Sequence, residues 1–238
     1  ETRKLLRGKT TDNPYLPKSF IDNLIADYPE KLREQYMNGE FVNVNGHGAY
    51  WAFDREKNCL PERQFYRDVI HMGIDFNVGY MSCTLSEYDE YAEELFVLDE
   101  FFLTQDANTK ALCQAVRKKY PTQTIIAHPD MTGVKRQTSA ELGMTDIEIL
   151  KQYGFSIQGN YNPQVKDRLN TVNNLFEKKK AWIGLNCKRL IKDLEQVVTD
   201  KHGNVRSRDN SEDLTHISDG FGYKCWNLFG KTKQEWRY

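Results

Sequence analysis

The run Val69-Ile70-His71-Met72-Gly73-Ile74 is mostly apolar and closes on an acid, Asp75. A stretch of this length and composition reads as a buried strand, and a carboxylate at its end needs a physical reason to be there. Two further acids stand in comparable places. Asp130 closes Thr124-Ile125-Ile126-Ala127-His128-Pro129, and Asp219 lies in the helical stretch Leu214-Thr215-His216-Ile217-Ser218-Asp219. Three carboxylates delivered by separate elements to one end of a sheet repel each other, and divalent cations make such a cluster tolerable. The pattern predicts a metal site suited to phosphodiester chemistry.

The elements around these acids follow a recognisable order. Met81, Cys83 and Leu85 alternate with Ser82, Thr84 and Ser86, which predicts a half-buried strand, and Leu95 to Leu103 forms a third strand. The connections Asn77 to Tyr80 and Tyr88 to Glu93 are short enough for antiparallel hairpins. Asp106 is placed to cap a helix carrying Ala111, Leu112, Ala115 and Val116, which leads into the Asp130 strand. A helix over Thr145 to Tyr153 precedes a short strand, Phe155-Ser156-Ile157. Asn162-Pro163 opens a longer helix with Val165, Leu169, Val172 and Phe176 on one stripe. Ala181 to Gly184 adds a strand, Asn186 to Val197 a helix, and the last helix runs from Ser211 to Phe229. Three antiparallel strands followed by helix, strand, helix, strand predict an α/β fold, a mixed central sheet flanked by helices. Right-handed crossovers place the Asp130 strand beside the Asp75 strand, with both acids at the same edge of the sheet.

At 238 residues the chain can bury a proper core, and the pattern divides it into residues 1–50, a linker with short helices from Ser19 and near Pro29-Glu30, and residues 51–238, one domain. The formal charge of -1 gives no overall pull toward nucleic acid, so any DNA contact must come from local patches. Cys59, Cys83, Cys113, Cys187 and Cys225 are scattered and form no C-x-x-C pair, which argues against a disulfide scaffold or zinc ribbon and suits a reducing compartment. No apolar run approaches the roughly 20 residues of a membrane span, and no signal peptide is visible. Because the chain begins at Glu1 rather than Met, it is expected to be a fragment or processed form. Gly8-Lys9-Thr10 and Gly230-Lys231-Thr232 end like phosphate-binding loops, but Arg3 and Cys225 stand where the leading glycine belongs, so ATP hydrolysis is not expected of this chain.

In the last helix Leu214, Ile217, Phe221 and Leu228 form the core stripe, while His216, Asp219 and Tyr223 share the adjacent face. Asp213 is a rival third carboxylate, but its place in the first helical turn has a sufficient dipole explanation. For Asp75 and Asp130 the competing reading is a strand end or turn, and for His216 with Asp219 a solvated pair. The best basic loop is Thr199 to Arg208, with a hairpin turn expected at His202-Gly203-Asn204. Lys166 and Arg168 are expected to face away from the Val165-Leu169 stripe, where they can reach DNA. Lys178-Lys179-Lys180 and Lys188-Arg189 read as helix-end charges.

Taken together, Gly73-Ile74-Asp75-Phe76-Asn77, His128-Pro129-Asp130 and His216-x-x-Asp219-Gly220-x-x-Tyr223 resemble the nuclease domain of tailed-bacteriophage large terminases. The segments Asn13-Pro14-Tyr15-Leu16, Tyr28 to Tyr36 and Gly39-Glu40-Phe41 are similar to the linker between that family's ATPase and nuclease domains. The likeness spans Asp12 to Phe229, with Gly220 standing where the family commonly has alanine. It implies an RNase H-like fold and cleavage of concatemeric double-stranded viral DNA during packaging, with two divalent cations, Mg²⁺ or Mn²⁺, about 3.5–4 Å apart. It carries Asp75, Asp130 and Asp219 over as metal ligands and His216 as an accessory histidine near the metals, whose chemistry allows a ligand for a softer ion such as Mn²⁺, a proton shuttle or an orienter, the last two favoured. A hairpin beside the active site makes Lys201, Arg206 and Arg208 candidate DNA contacts, with Lys166 as a further one. The partners it implies are a portal protein, a small terminase subunit and the missing ATPase domain, with no membrane. The implied location is the host bacterial cytoplasm, transiently at the procapsid portal. A non-catalytic docking module of a packaging motor, or an RNase H-like resolvase or transposase-type nuclease, are the other readings.

Overall fold

The computed structural model describes residues 13, 15–17, 19–22, 48–76, 79–131, 144–159, 161–199, 205–207 and 215–230, and residues 19–22 are helical. Helix α1 (Arg55–Asn58) leads into strand β1 (Cys59–Leu60). Strands β2 (Val69–Phe76), β3 (Met81–Asp89) and β4 (Glu94–Leu103) follow, then α2 (Thr109–Lys119) and β5 (Thr124–Pro129). After them come α3 (Asp146–Gln152), β6 (Ser156–Ile157), α4 (Val165–Glu177), β7 (Ala181–Gly184) and α5 (Lys188–Gln196). A hairpin of β8 (Val197–Thr199) and β9 (Val205–Ser207) precedes α6 (His216–Phe229).

Seven of these strands form one mixed sheet in the order β1-β7-β4-β3-β2-β5-β6. Strands β2, β3 and β4 are antiparallel neighbours, and β5 lies parallel to β2 with Ile74 opposite Pro129. The crossover therefore lands where the chain order predicted, and Asp130 follows directly on from β5 beside Asp75. The helix before β5 is capped by Asn108, whose side chain accepts from the Ala111 N–H, and not by Asp106, which sits at φ 48 in the turn before it. Helix α4 begins at Val165, after Asn162-Pro163 rather than at it.

The two faces of the sheet differ in chemistry. On one, Ile70, Met72, Ile74, Phe76, Met81, Cys83, Leu85, Ile125 and Ala127 pack with Leu112, Val116, Ile149 and Leu150 from α2 and α3. The opposite face is covered by α4, α5 and α6, whose Leu169, Val172, Leu190, Leu194, Ile217 and Phe221 join Leu95, Val97 and Ile183. Beneath α6 the strands present His71, Gly73 and Asp75 from β2, Ser82, Thr84 and Ser86 from β3, and His128 from β5. All of the polar residues among these are buried. The expectation of a half-buried β3 is thus corrected. Alternation marked two different environments, and the polar one is a helix bearing Lys224 rather than solvent.

Helix α6 can reach this face because two glycines meet. A Cβ on Gly73 would lie 2.3 Å from the Gly220 carbonyl oxygen, and one on Gly220 would lie 3.1 Å from the Asp75 nitrogen. The segment before α1 is stapled to the same side. Asn173 of α4, 1 % exposed, accepts from Ala52 N–H at 2.9 Å and donates to the carbonyls of Ala49 at 2.9 Å and Leu169 at 3.0 Å. Asn173→Ala is expected to cost about 2–3 kcal/mol, because buried backbone groups lose their partners. Urea unfolding measures the loss, and faster proteolysis near Ala49 is expected with it.

Candidate active site

Three elements deliver the acids. Asp75 stands one residue before the end of β2 and is 7 % exposed; Asp130, 6 % exposed, follows β5 and donates its N–H to the Ile74 carbonyl at 3.0 Å. That bond locks the backbone of one acid-bearing strand to the other. Asp219 occupies the first turn of α6, its N–H bonded to the Thr215 carbonyl at 2.8 Å, and the Gly73–Gly220 contact sets this turn directly over β2. The phenol of Tyr223, one turn further along, is pushed up by burial and, against the pull of Arg168, by the charges of Asp130, Asp75 and Asp219.

Each acid has its own attendant. Asn162 donates to Asp130 Oδ1 at 2.5 Å while its carbonyl oxygen accepts from Met131 N–H at 2.8 Å. His216 turns Nδ1 toward Asp75 Oδ2 at 3.6 Å, and its ring stacks on Tyr80 with centroids 6.1 Å apart. Arg168 pairs through Nη2 with Asp219 Oδ1. It was expected to face DNA, but it is 4 % exposed, with its guanidinium 4.5 Å from the centre of the Tyr223 ring. The error has a physical origin: α4 packs on the sheet side with one stripe and against α6 with another, so facing away from the first does not mean facing water.

Burial lifts the Asp219 carboxyl to about 7; Arg168 opposes this, Asp75 adds to it and His216 opposes it. Its side chain keeps 21 % of its surface, so the carboxylate is packed on one side and reachable from the other. Among the described residues no set of three or more His, Cys, Asp or Glu side chains is gathered into a metal cage as placed. Asp219 is engaged by Arg168 instead.

The start of α6 is held from a neighbouring helix. Thr215 offers no side-chain cap and takes φ 91, a strained value for a β-branched residue. Buried Asp193 of α5 supplies the cap, its Oδ2 accepting from Thr215 N–H at 3.0 Å and Ser218 N–H at 3.2 Å. Nothing in the Asp193 sequence context marks it as a cap for a helix more than twenty residues away.

Of the predicted DNA contacts, Lys166 is exposed in the first turn of α4, two residues before Arg168. Arg206 lies in β9, whose pairing with β8 matches the expected hairpin. Lys201, Arg208, Asp213 and the turn at His202-Gly203-Asn204 lie outside the described residues, as does most of the 1–50 linker.

Behind the acids lies a second polar group. Lys224 is fully buried and donates to the Thr84 carbonyl at 3.2 Å, Thr84 Oγ1 at 2.8 Å and Ser86 Oγ at 2.5 Å. Burial lowers its amine from 10.5 to about 7. His71 and His128, 3.0 Å apart between Nδ1 and Nε2, are both pushed down, first by burial, with Lys224 contributing. Between the folded and unfolded values of Lys224 the unfolded chain binds the extra proton. Its burial cost is therefore complete below about pH 7 and fades as pH rises toward 10.5. The stability of the native chain relative to Lys224→Met should climb across that window by on the order of 4 kcal/mol. A pH-independent difference in urea unfolding would refute this.

No family model matches the chain, and neither does any curated protein. Solved structures do. The large terminase of a thermophilic bacteriophage, in complex with ATP-gamma-S, superposes with a TM-score of 0.69 at 15% identity over 94% of this chain and 55% of that one. The P22 large terminase nuclease domain gives 0.59 at 12% identity, covering 83% of this chain and 100% of that domain. The large terminase nuclease from thermophilic phage G20c gives 0.50 at 14% identity, covering 79% and 100%. The chain spans about half the length of the ATP-gamma-S-bound terminase. These likenesses establish the fold: the mixed sheet and its helices are the RNase H-like arrangement of those nuclease domains.

Proposed function

We propose that this chain is the nuclease domain of a phage large terminase, a metal-dependent endonuclease that cuts double-stranded DNA during genome packaging. The observation that carries the proposal is that Asp75 and Asp130 end adjacent strands tied by the Asp130 N–H to Ile74 bond, with Asp219 set over β2 by the Gly73–Gly220 contact, on a fold shared with terminase nuclease domains. Carboxylate oxygens from three elements suit hard cations such as Mg²⁺ or Mn²⁺ in kind. Asp75 and Asp130 would hold such an ion, joined by Asp219 when its carboxylate is shared with Arg168. A pair of bound cations supplies an activated water and charge for the leaving oxygen.

The chain's own residues do the remaining work. Asn162 fixes the Oδ1 side of Asp130. His216, oriented between Asp75 and the Tyr80 ring, is positioned to pass a proton or to hold Asp75 in place. Lys166, Lys201, Arg206 and Arg208 are proposed to meet the phosphate backbone, giving salt-sensitive binding with little sequence preference. The portal, the small terminase subunit and a motor domain are the proposed partners, with the protein in the host cytoplasm and transiently at the procapsid. Among the described residues no helix is long and apolar enough to cross a membrane.

The test is nicking and linearisation of supercoiled plasmid with Mn²⁺ or Mg²⁺ against EDTA, with Asp219→Asn alongside. Cation-dependent cutting that the variant lacks supports the proposal. Equal cutting by both proteins removes the site assignment. No cutting at all favours a docking module, and preference for branched over linear duplex favours a resolvase-type enzyme.

A further inference from the structure

Arg168 is buried in a place built for it. A Cβ on Gly222 would lie 2.8 Å from both Arg168 Cγ and Cδ, so the helix facing it has been cut back to backbone at this point. Its guanidinium packs on the Tyr223 ring and pairs with Asp219, while its buried Nε has no hydrogen-bond partner. A guanidinium placed to saturate hydrogen bonds would use its whole fork. This one is placed for its charge, paired with Asp219 and with Asp75 also acting on it.

We infer that Arg168 is a resident counter-cation, a positioning residue that lets Asp75 and Asp219 stand together when no divalent ion is bound. The inference rests on reading the three acids as a cation site. Its consequence is a specific exchange: a divalent ion can replace part of what Arg168 does, whereas it could not replace an ordinary structural ion pair. Taking Arg168 away leaves a half-buried carboxylate without its partner and a cluster with more negative charge, which destabilises the metal-free fold and raises its gain from a cation.

The experiment is thermal unfolding of the native chain and Arg168→Gln, without DNA, in EDTA and in millimolar Mn²⁺. In EDTA the variant is expected to melt roughly 8 °C or more below the native chain. Mn²⁺ should raise the variant's Tm by roughly 5 °C more than it raises the native one. Isothermal titration with Mn²⁺ should show tighter binding by the variant. Equal Mn²⁺ gains, or no loss in EDTA, overturn the inference.

Arg168→Met, which keeps much of the side chain's bulk without its charge, carries the same comparison if the glutamine variant does not fold. A larger Mn²⁺ gain than the native chain supports the inference, and an equal gain overturns it. These readouts need no catalysis. A native chain that fails to cut plasmid would therefore sink the nuclease proposal while the cation exchange stood or fell separately.

Discussion

Asp75→Ala is expected to abolish metal-dependent plasmid cutting while leaving the fold as stable as before, or more so. Asp75 faces His216, and its charge adds to the lifting of both Asp219 and Tyr223. Removing it relieves repulsion inside the cluster, so Tm in EDTA should stay level or rise. Activity should fall by about 10³-fold or more, the scale of losing a group that acts on transition-state charge. The two measurements together separate a functional acid from a structural one, because a strand-end carboxylate holding a turn would lower Tm when deleted. Unchanged cutting with lowered Tm would put Asp75 among the structural residues.

Gly73→Ala is expected to cost about 3 kcal/mol or more, or to prevent folding outright. The new Cβ would meet the Gly220 carbonyl oxygen at 2.3 Å and its carbon at 2.9 Å, and neither is a flexible side-chain end that can swing aside. Helix α6 would have to lift from β2, carrying Asp219, Tyr223 and Lys224 away from the sheet. Gly48→Ala is the matched control, since its Cβ would rest 3.5 Å from the Val197 carbonyl oxygen in ordinary contact. A small effect at Gly73 would mean that the helix and the strand are not in backbone contact there. Gly220 is less absolute: its nearest contacts at 3.1 Å ask for only a slight shift.

Strands β2 to β5, the placement of β5 beside β2 and the position of Asp75 and Asp130 were legible because each rests on local pattern plus one chirality rule. What was not legible involved a helix packed on two sides. Arg168 looked outward because its spacing from the Val165-Leu169 stripe describes only the sheet-facing side of α4, and the approach of α6 is a tertiary fact. Ser82, Thr84 and Ser86 looked solvated because alternation distinguishes two faces without naming what covers either. The amine that satisfies Thr84 and Ser86 comes from about 140 residues further along. Asn162 looked like punctuation before Pro163, although its side chain reaches Asp130. The nearest thing to a sequence signal was the pair of small residues, Gly220 and Gly222, in a helix that had no local reason to contain them.

The Asp193 cap has a mechanical consequence. Helix α5 runs straight into β8, and the chain that leaves the hairpin through β9 returns to Thr215, whose N–H is tied to Asp193. The hairpin is therefore a closed loop clasped at its base by one carboxylate. A pull on its strands would reach α5 and the clasp before it reached His216 and Asp219.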